Sequence, residues 1–368
     1  MTINFFLQSK DFGGAEKFAH DLLLEIARVG NQVFLYTSND FLLKSLTEHQ
    51  NINVEKIPIY LDFAGNRKGL LKSLLLTPLA KIYYLKTLFK IKKRTDEQVI
   101  ICSGFSEKII VTPMARLFNL PVFFIEYGPL SPIFNKLYGI PKFLYYISKN
   151  FAKKVIVPSE NTKLSLKNIF EDNKMVLIPC GSKSPTLNLQ NKIKKNSLIV
   201  VSRLEKGKGQ DLTIKAFAFV KKEFKDAELL IVGQGSFEQE LKKSSNNDSQ
   251  IKFLKYVKNK QDLIEQSEIV LCPSVWPLEG FGLTIIEAMA LQKPIVAFDR
   301  APGNELISNG ESALLAKDGD YLDLANSIIK LLKDKNLQEK LARNAKEKFE
   351  EKYKIEKIAK QYLALLQN

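Results

Sequence analysis

Two glutamates and two glycines stand close together in the segment PLEGFGLTIIEAMA, residues 277–290. The segment follows a short apolar run that is typical of a buried strand, and its second half has the periodicity of a helix. Gly280 and Gly282 leave backbone N–H groups of the loop open to a ligand, and a helix N-terminus attracts anions. Glu279 precedes the helix and Glu287 lies within it. The pattern suits a ligand with hydroxyl groups at both ends and phosphate between them, and an ordinary buried strand–helix unit with a solvated glutamate explains it equally well.

The length and composition of the chain indicate a globular protein of two domains. At 368 residues the chain is too long for one hydrophobic core, and its composition, 45% hydrophobic and 26% charged, is ordinary for a globular protein. The three cysteines, Cys102, Cys180 and Cys272, have no metal-ligand spacing and fit buried thiols in a reducing compartment. No basic leader precedes the first strand, and no apolar run is long enough to span a bilayer. We therefore expect a cytoplasmic protein without a metal site.

The positive charge of the chain is concentrated in its first half. The formal net charge is +15, and residues 1–185 contribute +10 of it, with 25 basic and 15 acidic side chains. Residues 67–94 contain nine Lys or Arg and no acidic residue, with apolar residues at helical spacing and a break near Pro78. A second basic and aromatic run covers residues 134–154. These segments predict binding to an anionic membrane surface, and the alternative is a helix packed on the core whose lysines are simply solvated.

The first 40 residues predict an α/β fold. Residues 3–7 have the pattern of a strand, Gly13 and Gly14 form a turn, a helical pattern follows, and residues 33–37 form the next strand. This order is a βαβ unit, and α/β sheets bind ligands at the strand ends where such turns lie.

A polar stretch rich in Pro, Asn, Gln and Lys, residues 182–196, separates two series of strands and helices. We predict a first domain over residues 1–185 and a second domain over residues 186–354. The last helix, at about residues 355–368, is a candidate to pack back on the first domain.

Two motifs in the second half of the chain carry a resemblance to a known family. One is E-G-F-G-L-x-x-x-E-A-M-A at residues 279–290, and the other is R-L-x-x-x-K-G at residues 203–209, directly after a predicted strand. Together they resemble the donor-site signature of family 4 of the glycosyltransferases, a retaining group with the GT-B fold. The resemblance is strong from about Ser197 to Lys352 and weaker in the first half. It implies two Rossmann-like βαβ domains facing across a cleft, the first for the acceptor and the second for a nucleotide-sugar donor.

The resemblance implies a role for each charged residue of the two motifs. Arg203 and Lys208 correspond to the cations that bind the donor diphosphate, whose charge grows as it leaves. Glu279 corresponds to the residue that hydrogen-bonds the sugar hydroxyls, and these three residues are the candidate catalytic residues. Glu287 corresponds to the residue that holds the ribose hydroxyls. The other substrate-binding positions that the resemblance implies are Gly13, Gly14, Glu126, Gly233, Gly235, Tyr256, Gly280, Phe281, Gly282 and Leu283.

Three positions depart from the family pattern. A histidine commonly stands near Glu126 and Tyr127, where this chain has none. Cys180 replaces the usual Asn of a Pro-Asn-Gly bend, and Lys255 stands where Gly is common. Glu126 therefore has two interpretations, a contact to an acceptor hydroxyl or a strand-end carboxylate held by backbone N–H groups.

The resemblance implies a metal-independent hexosyltransferase that moves a sugar from a nucleotide-sugar to an acceptor hydroxyl with retention. It needs no cofactor, because a UDP- or GDP-sugar is the donor substrate. The expected acceptor is a saccharide or lipid-linked saccharide of a cell-envelope polysaccharide or glycolipid. The protein is expected to bind it at the inner face of the plasma membrane. No nucleic acid is expected to bind. The alternatives are a GT-B nucleotide-sugar epimerase, a sugar phosphorylase, and a non-catalytic basic protein that binds lipid or nucleic acid.

Overall fold

Two parallel β-sheets organise the chain, one in each of two units. The computed structural model describes residues 1–136, 139–186, 192–255 and 260–367. Unit 1 contains Met1–Cys180 and the segment from Ile355 onward, and unit 2 contains Gly181–Lys354.

The sheet of unit 1 has seven described strands, all paired in parallel. They are β1 (Thr2–Leu7), β2 (Gln32–Thr37), β3 (Ile52–Lys56), β4 (Gln98–Cys102), β5 (Val122–Ile125), β6 (Lys154–Val157) and β7 (Met175–Leu177). Their order across the sheet is β3-β2-β1-β4-β5-β6-β7. β4 and β5 are buried at every position, because parallel strands are covered by helices on both faces.

The helices of unit 1 fill the connections between these strands. They are α1 (Gly14–Arg28), α2 (Asp40–Leu46), α3 (Arg67–Lys92), α4 (Phe105–Leu117), α5 (Ser131–Phe134), α6 (Ile140–Lys149) and α7 (Glu160–Leu166). α4 packs against both α3 and α6. These three helices share one core cluster with the sheet, to which they contribute Tyr84, Met114 and Tyr145 among others.

Unit 2 repeats the same architecture with six described strands, again all parallel. The strands are β8 (Ser197–Val201), β9 (Glu228–Val232), β10 (Ile251–Leu254), β11 (Ile269–Cys272), β12 (Ile295–Phe298) and β13 (Leu314–Ala316), in the order β10-β9-β8-β11-β12-β13. The helices are α8 (Gln210–Glu223), α9 (Glu238–Ser244), α10 (Lys260–Gln266), α11 (Leu283–Ala290), α12 (Gly303–Leu306), α13 (Tyr321–Lys333) and α14 (Lys335–Lys352).

Each sheet reverses its strand order at one place. In unit 1 the reversal lies between β1 and β4, and in unit 2 it lies between β8 and β11. At such a point the two following connections leave on opposite faces of the sheet, which opens a crevice beyond the carboxyl ends of the strands. Ligand sites of open α/β sheets are found in this crevice.

The last helix, α15 (Ile355–Gln367), belongs to unit 1 and packs against α1. The ring centroids of Phe18 on α1 and Tyr362 on α15 lie 6.1 Å apart. Tyr362 is 1% exposed and Ile358 is fully buried, so α15 completes the core on this side of the unit 1 sheet.

The break predicted near Pro78 does not divide the helix. α3 is continuous from Arg67 to Lys92 and contains Pro78. A proline lacks the N–H that would bond to the carbonyl four residues earlier, here that of Leu74. Leu74 and Pro78 are both on the exposed side of the helix, where water can satisfy that carbonyl, and the helix therefore continues.

Candidate active site

The two sequence motifs lie in loops that follow β8 and β11, the neighbouring strands where the order of the unit 2 sheet reverses. The loops are in direct contact, since the Val275 N–H donates a hydrogen bond to the Gly207 carbonyl at 2.9 Å. A Cβ atom on Gly209 would lie 1.8 Å from the carbonyl oxygen of Pro273, so this approach requires glycine. The fold thereby brings together two motifs that are 70 residues apart in sequence.

Lys208 and Glu279 form an ion pair between these loops. The Lys208 Nζ lies 2.6 Å from Glu279 Oε2, and the Ser274 hydroxyl donates to the same oxygen at 2.8 Å. The Lys208 and Glu279 side chains are 12% and 25% exposed, so the pair is partly shielded from water and still open to a ligand. A carboxylate that can accept bonds from hydroxyl groups therefore stands beside a cation that can neutralise phosphate.

Trp276, which the sequence analysis did not select, lies beside both cations. The Lys208 Nζ is 5.0 Å from the centroid of its ring, and the Arg203 Cζ is 5.6 Å from it. Both distances are within the range of cation–π attraction. Trp276 is the sole tryptophan of the chain and stands three residues before Glu279, and that position is the signal that could have identified it.

Gln210 fixes the backbone of the loop that carries Arg203. Its side chain is completely buried, and its Nε2 donates to the Ser202 hydroxyl at 2.7 Å and to the Arg203 carbonyl at 2.8 Å. The Arg203 side chain remains exposed. Gln210 thus holds the loop in place while the guanidinium stays available to a ligand, a role that no sequence motif indicated.

Helix α11 begins at Leu283, directly after the second loop. Gly282 caps the helix with φ of 109°, a left-handed conformation that favours glycine. The Thr284 hydroxyl donates to the Val201 carbonyl at 3.1 Å and so ties the first turn of α11 to the end of β8. The N-terminus of α11 therefore lies at the same strand ends as the ion pair of Lys208.

Gly280 and Phe281 complete the loop before α11. Phe281 is 6% exposed, and its ring packs edge-on against Tyr353 with centroids 6.2 Å apart. Gly280 is half-buried. The Phe281 side chain thus stabilises unit 2, and its backbone is the part that borders the start of the helix.

Glu287 lies on α11 and pairs with Lys260, the first residue of α10. The Lys260 Nζ is 2.7 Å from Glu287 Oε2, and the Glu287 side chain is 9% exposed. Desolvation, with smaller contributions from the carboxylates of Glu279 and Glu287, raises the pKa of the Cys272 thiol to about 12. The negative charges of both motif glutamates therefore contribute to the raised pKa of this thiol at the end of β11, and the thiol stays protonated at neutral pH.

The predicted positions after β9 and β10 have different outcomes. Gly233 and Gly235 follow β9 and lie against the backbone of Ser202 and Leu204, so they border the loop of Arg203. Tyr256 lies outside the described residues.

The predicted unit 1 residues lie at the carboxyl ends of β1 and β5. Gly13 precedes α1 as its N-cap, and its N–H donates to Glu16 Oε2 at 2.9 Å. Gly14 is the first residue of α1. Because β1 borders the reversal of strand order in the unit 1 sheet, this turn opens onto the crevice of that sheet.

Glu126 is a buried member of an ion pair. It is 3% exposed, the Lys108 Nζ lies 2.7 Å from its Oε1, and the Tyr145 hydroxyl donates to the same oxygen at 2.5 Å. These partners are side chains, which corrects the expectation that backbone N–H groups hold the carboxylate. The placement favours a structural role, and the contact to an acceptor hydroxyl stays a prediction.

Burial raises the pKa of the neighbouring Tyr127, whose hydroxyl bonds to Ser103 at 3.2 Å.

Glu107 was not foreseen by the sequence analysis. It lies in the first turn of α4, beyond the end of β4, and is completely buried. Among the described residues neither of its carboxylate oxygens has a hydrogen-bond partner. Burial raises the pKa of Glu107 to about 7, and the nearby backbone N–H groups of Glu107 and Gln8, together with the charge of Lys108, lower it only partly.

Neither a metal cluster nor a membrane span occurs in the described part of the chain. Within residues 1–136, 139–186, 192–255 and 260–367, no three His, Cys, Asp or Glu side chains converge in a way that could hold a metal ion. No helix in these ranges has both the length and the apolarity to cross a bilayer.

Comparison with known families identifies the domain that carries the two motifs. Residues 187–348 match the family model described as Glycosyl transferases group 1. These residues form a glycosyl transferases group 1 domain. The matched residues include Arg203, Lys208, Glu279 and Glu287.

Curated relatives of low identity include proteins that are named as glycosyltransferases. The capsular polysaccharide biosynthesis glycosyltransferase CapM of Staphylococcus aureus is 23% identical over 342 residues, covering 84% of this chain and 83% of that protein. The N-acetyl-alpha-D-glucosaminyl L-malate synthase of Bacillus anthracis is 33% identical, covering 45% of this chain and 43% of that protein. An uncharacterized glycosyltransferase of Haemophilus influenzae is 26% identical, covering 60% of this chain. The chain spans 63% of the length of that last relative.

Solved structures confirm the predicted fold. Anabaena HepE in complex with UDP and glucose has a TM-score of 0.81 at 21% identity, with 100% of this chain and 99% of that chain covered. TarM has a TM-score of 0.79 at 16% identity, with 100% and 99% covered. The two units are therefore the parallel-sheet, Rossmann-like units of the GT-B fold.

Proposed function

We propose that the chain is a retaining, metal-independent hexosyltransferase of glycosyltransferase family 4 that transfers a sugar from a UDP- or GDP-sugar to an acceptor hydroxyl. The observation that carries the proposal is the contact of Lys208 with Glu279 at 2.6 Å, beside Arg203 and at the start of α11, inside a glycosyl transferases group 1 domain. A nucleotide-sugar needs cations and a helix N-terminus for its diphosphate. It also needs a carboxylate for the hydroxyl groups of its sugar.

In the proposed reaction, Arg203 and Lys208 stabilise the departing nucleoside diphosphate. The bond between the anomeric carbon and the diphosphate breaks, and negative charge gathers on the leaving oxygen. Lys208 pairs with Glu279, and the incoming diphosphate would replace that carboxylate as its partner. Glu279 would then be free to accept hydrogen bonds from the sugar hydroxyls. The backbone N–H groups of the first turn of α11 add a dipole of the right sign.

Glu287 is assigned to the ribose of the donor. Lys260 donates a charge-assisted hydrogen bond to one of its oxygens at 2.7 Å and so orients the carboxylate. A carboxylate offers about four acceptor positions, so an ion pair leaves capacity for two vicinal hydroxyl groups. Glu287 lies about one turn into α11, which begins at Leu283 directly after the loop of Glu279.

The proposed acceptor is a saccharide or lipid-linked saccharide of the cell envelope, met by a cytoplasmic protein at the inner face of the plasma membrane. CapM is named for capsular polysaccharide biosynthesis. A Campylobacter jejuni relative, 26% identical over 63% of this chain and 66% of its own length, is named for a GalNAc-containing diNAcBac-PP-undecaprenol acceptor. These names support the class of acceptor that we propose.

The experiment is a donor screen that measures release of nucleoside diphosphate. The purified chain is incubated with UDP- and GDP-hexoses and an envelope glycan extract, with and without EDTA. We expect release that depends on the extract, persists in EDTA, and yields a product whose anomeric configuration by NMR equals that of the donor. Loss of activity in EDTA that Mg²⁺ or Mn²⁺ restores would contradict metal independence, and inverted product would contradict retention. Binding of nucleotide with isomerised donor and no transfer would identify an epimerase instead.

A further inference from the structure

Helix α3 carries an exposed apolar stripe along most of its length. Leu75 is 80% exposed, although leucine is among the residues most often found buried. The apolar side chains of α3 that are more than a third exposed are Leu71, Leu74, Leu75, Leu79, Ile82, Leu85 and Phe89. At 1.5 Å per residue the stripe is about 27 Å long, which is far more than an isolated surface leucine.

The stripe lies on the side of α3 that faces away from the core. Its members recur every three or four residues, so they share one face of the helix. The opposite face supplies the buried residues Leu70, Ala80, Tyr84, Leu88 and Ile91 to the unit 1 core. Packing on the core accounts for the apolar residues of the inner face. The outer face has no such partner, and an exposed apolar surface of this size indicates an interaction surface.

Exposed basic residues border the stripe. They are Arg67, Lys68, Lys72, Lys81, Lys86, Lys90, Lys92 and Lys93. The sequence of α3 contains no acidic residue, and within the described residues none of these side chains forms a salt bridge. A surface that is apolar along its centre and positive along its borders is complementary to the interface of an anionic lipid bilayer.

A second exposed apolar group lies on α6, in the same helical layer. Phe143 is 67% exposed, Ile147 is 44% exposed, and Phe151, just after the helix, is 42% exposed. Lys142 and Lys149 stand on the same helix. Because α4 packs against both α3 and α6, the two apolar groups belong to one side of the unit 1 sheet.

We propose that α3 and α6 form a docking surface for an anionic membrane, with the leucine and phenylalanine side chains in the interfacial region and the lysines on lipid phosphates. Charge complementarity selects this partner. Two copies of the chain joined through α3 would bring together two rows of lysine, which repel each other. A nucleic acid would use the lysines and leave the apolar stripe in water. The inference deepens the proposed function, since it names the surface on which a lipid-linked acceptor is met, but docking itself requires no transfer activity.

The test is co-sedimentation with vesicles of phosphatidylcholine alone and of phosphatidylcholine with phosphatidylglycerol, at low and at physiological salt. We expect binding to the anionic vesicles, with a component that persists at physiological salt because apolar burial is not screened. Changing Lys86, Lys90, Lys92 and Lys93 to Glu should weaken binding about tenfold or more at low salt. Changing Leu71, Leu75 and Leu79 to Ser should remove the salt-resistant component.

Matched variants separate this surface from general charge and hydrophobicity. Changing the exposed Lys222, Lys225, Lys243 and Lys340 of unit 2 to Glu alters the net charge equally and should leave vesicle binding within about twofold of wild type. Changing Leu164, Leu254 and Leu322 to Ser removes three other exposed leucines and should have as little effect. UDP thermal shift on every variant reports the fold and the donor site independently.

Three results would overturn the proposal. One is the absence of sedimentation with anionic vesicles at low salt. Another is a concentration-dependent dimer in light scattering that the Leu71, Leu75 and Leu79 changes abolish while vesicles do not bind, which would assign the stripe to a second copy. The third is equal loss of binding in the unit 2 lysine variant. If vesicles bind and no donor is turned over, the docking surface stands and the proposed function fails.

Discussion

Lys208 and Glu279 meet at 2.6 Å although 71 residues separate them in the sequence. Each follows one of the two neighbouring strands at which the unit 2 sheet reverses its order, so the topology of the sheet alone brings them to the same edge. In the proposed function, the diphosphate of an entering donor would pair with Lys208 and release Glu279 to accept hydrogen bonds from the sugar hydroxyls.

Changing Lys208 to Met or Glu279 to Gln should lower turnover of the donor. Loss of one group that stabilises developing charge costs about 3 kcal/mol of barrier, or roughly a hundredfold in kcat. We expect Lys208→Met also to weaken nucleotide binding, and Glu279→Gln to leave it nearly unchanged. Steady-state kinetics and UDP calorimetry measure both effects. Lys206→Met, an exposed cation of the same loop, is the control, and a decrease in its kcat as large as that of Lys208→Met would refute the assignment.

Changing Glu287 to Ala should weaken binding of the nucleoside diphosphate more than it lowers kcat. Hydrogen bonds to a charged group contribute about 1.5–3 kcal/mol, which corresponds to roughly a ten- to hundredfold rise in Kd. Calorimetric titration with UDP or GDP tests this, and the exposed Glu347→Ala is the control. Titration with inorganic pyrophosphate, which lacks ribose, should be insensitive to Glu287→Ala. Equal weakening for pyrophosphate would show that Glu287 acts through the fold instead of the ribose.

Nucleotide binding should change the fluorescence of Trp276. It is the sole tryptophan of the chain, and its ring lies 5.0 Å from the Lys208 Nζ and 5.6 Å from the Arg203 Cζ. A diphosphate that binds both cations alters the charge next to the indole. The Trp276→Ala variant should bind UDP roughly two- to fivefold more weakly, through loss of cation–π contacts. Calorimetric binding without any change in emission would place the nucleotide away from this loop.

Stability should fall with rising pH because of Glu107. Burial raises its pKa in the folded state to about 7 from a usual value of 4.5, so the folded state binds the proton more tightly. The contribution of Glu107 to the free energy of unfolding is then fully present below about pH 4.5, and it is lost as the pH rises through 7, by roughly 3 kcal/mol. Glu107→Gln should match wild type near pH 5 and exceed it near pH 8.

Urea denaturation followed by circular dichroism between pH 5 and 8 measures this difference. The variant Glu48→Gln changes an exposed carboxylate of unit 1 and should leave the pH dependence of wild type intact. A constant difference between Glu107→Gln and wild type across this range would show that the carboxyl group does not titrate in the folded state.

The alternation of strands and helices could be predicted because it is encoded locally. Apolar runs such as residues 197–201 and 269–272 are long enough for a strand and too short for a helix, and glycines mark the turns between elements. The GT-B fold followed from two motifs at strand ends and is confirmed. The predicted break at Pro78 was wrong, because the local rule for proline ignores that Leu74 and Pro78 lie on the exposed side of the helix, where water can bond the carbonyl that proline leaves unbonded.

The partners of the site residues could not be predicted, because they are set by packing between distant segments. The pairing of Glu287 with Lys260 spans 27 residues, and that of Glu126 with Lys108 depends on how α4 lies on β5. The burial of Glu107 has the same origin. A carboxylate in the first turn of a helix is ordinary in sequence, and only the surrounding core makes it unusual.

The contact between Phe18 and Tyr362 has a consequence for how the chain is made. A growing polypeptide folds as it leaves the ribosome, and an amino-terminal domain usually completes its structure first. Here residues 1–180 emerge early, but the helix that closes their core, Ile355–Gln367, is synthesised after all of unit 2. The apolar face of α1 therefore lacks its partner helix α15 while more than 170 further residues are translated. Unit 2 is therefore able to fold while unit 1 still lacks its last helix.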